Sequence, residues 1–385
     1  MSKIRHFLCL LTFLLTFGSV CSEVRVGADR MEQYVSKIKG KRVALVCNQT
    51  SRVGNCHLLD TLVSLGIDVR RCFAPEHGMR GDEDAGAHVS NGYDAKTGIE
   101  IASVYGKSKK PSVQQLSDID VVLFDIQDVG ARFYTYISTL HYVMEACAEN
   151  DKKLIVLDRP NPNDTIDGPV LDLKFRSFVG MDKIPLLHGC TVGELAQMIN
   201  GERWLNNGIK CDLTVVPVEG WKHGQPYSLP ISPSPNLPND NAIRLYPSLC
   251  LFEATPISVG RGTDYPFEVV GYPDSTCGAF CFTPHSMSGK ATHPLQENKQ
   301  CFGDDLRKDS VTRGFSLKFI LKYYSILGEV FFSSNSFFDK LSGTDKLRYQ
   351  ILNRKSEEEI RVTWQDELLR YKKMRFNYVL YDEYF

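Results

Sequence analysis

Between residues 41 and 162 the sequence alternates short apolar runs with longer stretches of helical spacing, and this alternation restricts the fold more than any other feature. KRVALVCNQ (41–49) is too short for a core helix and carries β-branched residues, so it reads as a buried strand. CHLLDTLVSLG (56–66) has helical spacing and stops at a glycine. DVRRCFAPE (68–76), IEIASVYG (99–106), DVVLFDIQDVG (120–130) and KKLIVLDRPNP (152–162) repeat the strand pattern. PSVQQLSDI (111–119), opened by a proline, and YTYISTLHYVMEACAEN (134–150) read as helices between them. Strands alternating with helices predict an α/β fold, a parallel sheet with helices on both faces.

The alternation ends at LPISPSPNLPNDNA (229–242), where four prolines exclude a regular helix or a central strand. That segment is either a stiff connector or a rigid loop lining a site. The 385 residues favour two domains. The expected division is a first domain over 23–250 and a smaller α/β or α+β domain over 251–385. Residues 1–22 have a different character. Lys3 and Arg5 precede the apolar HFLCLLTFLLTFGSV, the layout of a secretory signal peptide, and cleavage after Ser22 fits a small-residue exit. The expected location is therefore exported, periplasmic or envelope-associated. An alternative makes Cys21 an acylated anchor, the one membrane attachment expected. Export would also allow Cys277 and Cys281 to pair as a disulfide. Cys47 and Cys147 sit in apolar runs and read as small core residues.

A net charge of −1 argues against a nucleic-acid partner. With no C-x-x-C pair, no P-loop and no G-x-G-x-x-G after the first strand, neither a metal nor a nucleotide cofactor is expected. In open parallel sheets, ligands bind beyond the carboxyl ends of the strands. Here those ends carry Asn48, then Glu76 and His77, then Asp125, Gln127 and Asp128 followed by Arg132 and Tyr134, and finally Asp158, Arg159 and Asn161. Four polar strand ends on one rim predict a site. Its carboxylates, amides, guanidinium groups and tyrosine suit sugar hydroxyls and an anionic substituent, and carboxylates can cleave glycosidic bonds by acid/base transfer. Asp125, inside an apolar strand, requires a partner such as an arginine. Ser234 lacks a G-x-S-x-G elbow, which weakens an esterase or amidase reading.

FAPEHGMRG, VVLFDIQDVGARFYTYISTL, VLDRPNPN, DGPVLD, FVGMDKIPLLHGCTVGELAQMINGE, PSPNLP, LFEATPISVGRGTDYPFE and RFNYVLY occur in that order from about residue 41 to the end. Together they resemble the NamZ family of exo-β-N-acetylmuramidases. The resemblance implies a Rossmann-like first domain, a smaller second one and an active-site cleft between them. It implies release of N-acetylmuramic acid from the non-reducing ends of peptidoglycan-derived saccharides, in cell-wall recycling, and it carries the catalytic role to Glu76. It also brings Asn236, His188 and Arg261 forward as substrate-binding candidates. Arg132, Arg159 or Arg261 would hold the lactyl carboxylate, since arginine favours bidentate carboxylate contacts. In place of the family's A-G-E motif the chain reads Ala85-Gly86-Ala87-His88, which leaves open a non-catalytic muropeptide binder.

Overall fold

The structure, a computed structural model, describes residues 23–81, 91–308, 314–332 and 335–383. Residues 1–22 with Cys21, expected as a signal peptide, and the 82–90 stretch with Glu83, Ala87 and His88 lie outside these residues. The strands are β1 (Arg42–Cys47), β2 (Asp68–Ala74), the short β3 (Gly92–Tyr93), β4 (Glu100–Ser103), β5 (Val121–Asp125) and β6 (Lys153–Leu157). A separate antiparallel hairpin, β7 (Ile166–Val170) with β8 (Pro185–His188), comes before β9 (Asp212–Val216). The main sheet has the order β9-β6-β5-β1-β2-β4-β3, parallel except for β3. Its six parallel strands thus run 3-2-1-4-5-6 in chain order, a doubly wound arrangement.

The apolar strands create this sheet by burying both of their faces. Val43, Leu45 and Cys47 of β1 enter one core with Val121, Leu123, Ile155 and Leu157. Ala44 and Val46 enter the other with Val122, Phe124, Leu154 and Val156. Each fully buried aliphatic or aromatic side chain contributes roughly 1.5–3 kcal/mol. β9, at the edge, is only half buried.

Helices α1 (Leu58–Ser64), α2 (Val113–Leu116), α3 (Tyr136–Glu149) and α4 (Val192–Gly201) connect the strands. Gly66 ends the α1 segment at φ +71°, a left-handed conformation open to glycine. Capping boxes at Ser112/Gln115 and Thr191/Glu194 start α2 and α4.

Past the proline-rich segment, α5 (Asp240–Leu249) leads into an α+β unit. Its antiparallel sheet joins β10 (Val269–Tyr272), β11 (Phe280–Phe282) and β12 (Cys301–Asp305) in the order β10-β12-β11. Helices α6 (Lys318–Leu327), α7 (Asn335–Ser342), α8 (Lys346–Leu352), α9 (Glu357–Val362) and α10 (Gln365–Arg375) complete it. The core on one sheet face runs on into this unit through Phe252, Tyr323 and Phe331. Cys277 is buried, Cys281 is exposed and both are free thiols, so the disulfide expected between them does not form. Cys47 and Cys147 are buried, as their apolar runs suggested.

Candidate active site

Glu76 follows β2 in a tight turn closed by the Gly78 N–H donating to the Pro75 carbonyl at 3.0 Å. His77 occupies the turn at φ +70°, an uncommon conformation for a side-chain-bearing residue and one that functional sites tolerate. It is buried, with Nε2 3.2 Å from the Ser234 hydroxyl. The Glu76 carboxyl is partly exposed. The Tyr105 hydroxyl donates to one of its oxygens at 2.9 Å and the Thr135 hydroxyl to the other at 2.7 Å. Tyr105 lies just beyond β4, beside β2 in the sheet, and Thr135 is the residue before α3, its hydroxyl turned to Glu76 and not to the helix end. Burial, reinforced by the Glu76 charge, pushes the Tyr105 phenol up, so it stays protonated as a donor. The Tyr136 hydroxyl reaches the Glu76 carbonyl at 3.3 Å.

The proline-rich segment proves to be a rigid loop at this rim. The Pro233 carbonyl accepts from the Tyr134 hydroxyl at 2.8 Å, the Tyr136 hydroxyl at 3.4 Å and the Gln49 amide at 3.1 Å. Asn236 donates its amide to the Lys290 carbonyl of the second unit at 2.8 Å. A ladder of rings also bridges the units. Tyr136 and Tyr134 are 4.9 Å apart, Tyr134 and Tyr246 5.7 Å, and Tyr246 and Phe267 5.0 Å, all edge-to-face. The Arg261 guanidinium lies 5.0 Å over Phe267.

Buried polar atoms normally find partners, so those left without one point to a ligand or solvent position. Among the described residues, the buried side-chain atoms without a hydrogen-bond partner include Asn48 Nδ2, Gln49 Oε1, Asp128 Oδ1, Asn236 Oδ1 and Arg261 Nη1. Four of these five residues were candidates from sequence. Arg261 gives Nε to Glu253 and keeps Nη1 uncommitted.

Other candidates spend most of their hydrogen bonds on the protein itself. Asp125 and Arg159 form a bidentate pair at 2.6 and 2.9 Å, both buried. Burial pushes the Asp125 carboxyl up, with Arg159 opposing it. Arg132 is fully buried and donates to the carbonyls of Pro169, Ile184, Leu341 and Ser342 at 2.7–3.1 Å, tying the two units together. Burial lowers its pKa to about 9. Gln127 bonds the Asp128 and Pro160 carbonyls, and Asn161 bonds the Cys190 carbonyl. His188 Nδ1 accepts from the Cys190 N–H, while its buried Nε2, 3.3 Å from Asp128, makes no hydrogen bond.

Asp158, fully buried, serves the chain end. It accepts from Thr191 at 2.7 Å, from the Gly193 N–H at 2.7 Å, from its neighbour's N–H at 2.9 Å and from the Tyr381 hydroxyl. Burial still lifts its pKa to about 6, against those donors. Beside it, His223 bridges Asp164 at 3.0 Å and Glu194 at 2.8 Å. Burial lowers its pKa, but the two carboxylates outweigh that and raise it to about 9.

Sequence reasoning missed Tyr105, Thr135 and Tyr136. The strand-end rule could have found Tyr105, because it closes the apolar run IEIASVY. Thr135 needed the start of α3 to be placed within one residue.

Two family models cover the chain in tandem. The N-terminal domain of the exo-β-N-acetylmuramidase NamZ matches residues 43–241 and its C-terminal domain residues 244–381. The peptidoglycan β-N-acetylmuramidase NamZ of Bacillus subtilis is 37% identical over 96% of this chain and 98% of its own. Two crystal structures of DUF1343 family proteins from Bacteroides fragilis share the fold. One has a TM-score of 0.85 and 43% identity, covering 94% of this chain and 100% of its own. The other has a TM-score of 0.79 and 30% identity, covering 93% and 99%.

Proposed function

The chain belongs to the NamZ family, and we propose that it is an exo-acting glycosidase releasing terminal N-acetylmuramic acid from non-reducing ends of peptidoglycan fragments, with Glu76 as general acid/base. The observation that carries this reading is the Glu76 carboxyl, partly exposed at a strand end and gripped by two hydroxyls. A hydroxyl can donate or accept, so Tyr105 and Thr135 can hold the group in either protonation state. Protonated, Glu76 gives its proton to the glycosidic oxygen as the bond to the anomeric carbon breaks. Ionised, it takes a proton from the water that completes hydrolysis.

Recognition falls to the uncommitted atoms. Of the three arginines expected at the lactyl carboxylate, Arg261 keeps a terminal guanidinium nitrogen, Nη1, without a protein partner; Arg132 leaves only Nε unpartnered, with both of its Nη atoms held by carbonyls. The other two are consumed by Asp125 and by carbonyls. Asn48, Asn236 and Asp128 offer one donor and two acceptors to sugar hydroxyls and the acetamido group. Tyr134 and His77 shape the wall. Export, envelope location and a role in cell-wall recycling belong to the same proposal, supported by the charged and apolar pattern of residues 1–22.

The test compares the protein with Glu76→Gln on a chromogenic β-N-acetylmuramide. Equal turnover by both would sink the assignment. The Ala87 departure favours a second reading, a muropeptide binder without chemistry. Binding of that substrate by the unmodified protein with no turnover would establish that reading instead.

A further inference from the structure

We propose that a groove on the second unit, walled by Tyr265, Phe280, Phe282, His285, Met287 and Arg307, is a subsite for the neutral sugar on the leaving-group side of the cleaved bond. The proposal rests on the muramidase reading of Glu76. The cavity measures about 420 Å³, within the range of small-molecule sites.

Its chemistry selects the ligand. Phe280 and Phe282 stack at 6.1 Å. The Arg307 guanidinium lies 4.3 Å over Tyr265 and 5.3 Å over Phe280. That guanidinium is already neutralised by Asp305, which takes two of its donors at 2.8 and 2.6 Å. What the groove offers is aromatic surface with a polar fringe from Thr263, Asp264 and His285. A pyranose has the matching character, with an apolar C–H face and hydroxyls at its rim. Burying that face against rings is favourable, while a matched cation gives a free anion little extra attraction.

The walls are set in advance. His285 donates its N–H to the Gly262 carbonyl at 2.8 Å. Gly262 adopts φ +78°, and a Cβ there would fall 2.4 Å from the His285 carbonyl oxygen, so the two walls close on each other only with glycine at that turn. A preformed groove avoids ordering costs on binding.

Position assigns the side. Met287 and Ala291 close a turn through mutual backbone bonds at 2.9 and 2.8 Å. Within that turn the Lys290 carbonyl holds Asn236, whose N–H bonds the Ser234 hydroxyl at 3.2 Å. Ser234 in turn meets His77, the residue after Glu76, at 3.2 Å. One wall of the groove is therefore coupled to the Glu76 turn through three hydrogen bonds. An exo-acting enzyme holds a single sugar on the glycone side, so a further saccharide groove can serve only the leaving group. In peptidoglycan the sugar that follows N-acetylmuramic acid is the uncharged N-acetylglucosamine, which agrees with the neutralised Arg307.

The experiment measures kcat/KM for two substrates, an aryl β-N-acetylmuramide and an N-acetylmuramyl-N-acetylglucosamine oligosaccharide, with the unmodified protein, Phe280→Ala, Tyr265→Ala and Phe280→Trp. Thermal unfolding confirms that each variant folds. The oligosaccharide-to-aryl ratio should fall about tenfold in the alanine variants, the loss expected for one aromatic contact, and hold in Phe280→Trp. An unchanged ratio in both alanine variants overturns the subsite. If the unmodified protein cleaves neither substrate, the muramidase reading fails, and the groove is judged by calorimetry with a disaccharide of N-acetylglucosamine. Binding at least tenfold weaker in Phe280→Ala then supports the subsite, and absence of binding to the unmodified protein overturns it.

Discussion

Glu76 and Asp158 stand past the carboxyl ends of two parallel strands of one sheet, yet their surroundings are opposite. Glu76 is partly exposed, and buried atoms in the loops around it lack partners. Asp158 is sealed and accepts from Thr191, Gly193, its own neighbour's N–H and Tyr381. Around Asp158 the last residues of the chain pack back on the first unit. Leu380 N–H donates to Glu194 at 2.8 Å, the Tyr381 hydroxyl accepts from Val218 N–H at 2.9 Å, and His223 N–H bonds the Asp382 carbonyl at 2.8 Å. Location on the rim gathers polar groups; whether their hydrogen bonds are already made separates a place for substrate from a structural clasp.

The widest separation comes from changing the Glu76 carboxylate itself and, at the other end of the comparison, one donor that holds Asp158. Glu76→Gln should lower kcat/KM by about 10³-fold, the size of a lost general acid, with urea unfolding nearly unchanged. Tyr381→Phe should do the reverse. It leaves Val218 N–H and Asp158 short of a partner and should cost about 1–3 kcal/mol in urea unfolding, with kcat/KM within about twofold. Activity lost in both variants to the same degree would erase the distinction.

The clasp also carries a pH signature. The folded pKa of His223, raised from 6.5 to about 9, gives stabilisation that is complete below pH 6.5 and lost as pH rises through about 9. At roughly 1.4 kcal/mol per unit this is on the order of 3 kcal/mol, set by Asp164 and Glu194 with Arg375 beside the ring. Asp158, raised from 3.8 to about 6, acts in the same direction: the unfolded state ionises first, so stability falls as pH rises from about 4 to 6. Unfolding free energy measured from pH 5 to 9.5 should decline, and His223→Gln should flatten the part of the decline above pH 6.5. A slope unchanged in that variant would assign the decline to other groups.

The smallest effect tests the grip on Glu76. Tyr105→Phe removes one hydroxyl and should lower kcat about three- to tenfold with KM and thermal stability held. Because Tyr105 acts through Glu76, its loss should also move the alkaline limb of the pH–rate profile, where a general acid gives up its proton. A KM change with kcat unmoved would place Tyr105 against substrate instead.

The polar strand ends were legible because continuous apolar runs mark buried parallel strands and chain order then puts Asn48, Glu76, Asp125 and Asp158 on one rim whatever the loops do. The pairing of Asp125 was legible too, since a carboxylate inside an apolar strand demands a cation. By itself the sequence determined the parallel sheet with helices on both faces, the two-unit order and the position of Glu76 at the rim. Only the tertiary structure decided which polar groups stay open. Arg132 and Arg159 look alike in sequence to Arg261, and their different duties depend on carbonyls and carboxylates brought from up to about 200 residues away. Hydrogen bonds across such separations follow from packing, and local spacing along the chain carries no record of them.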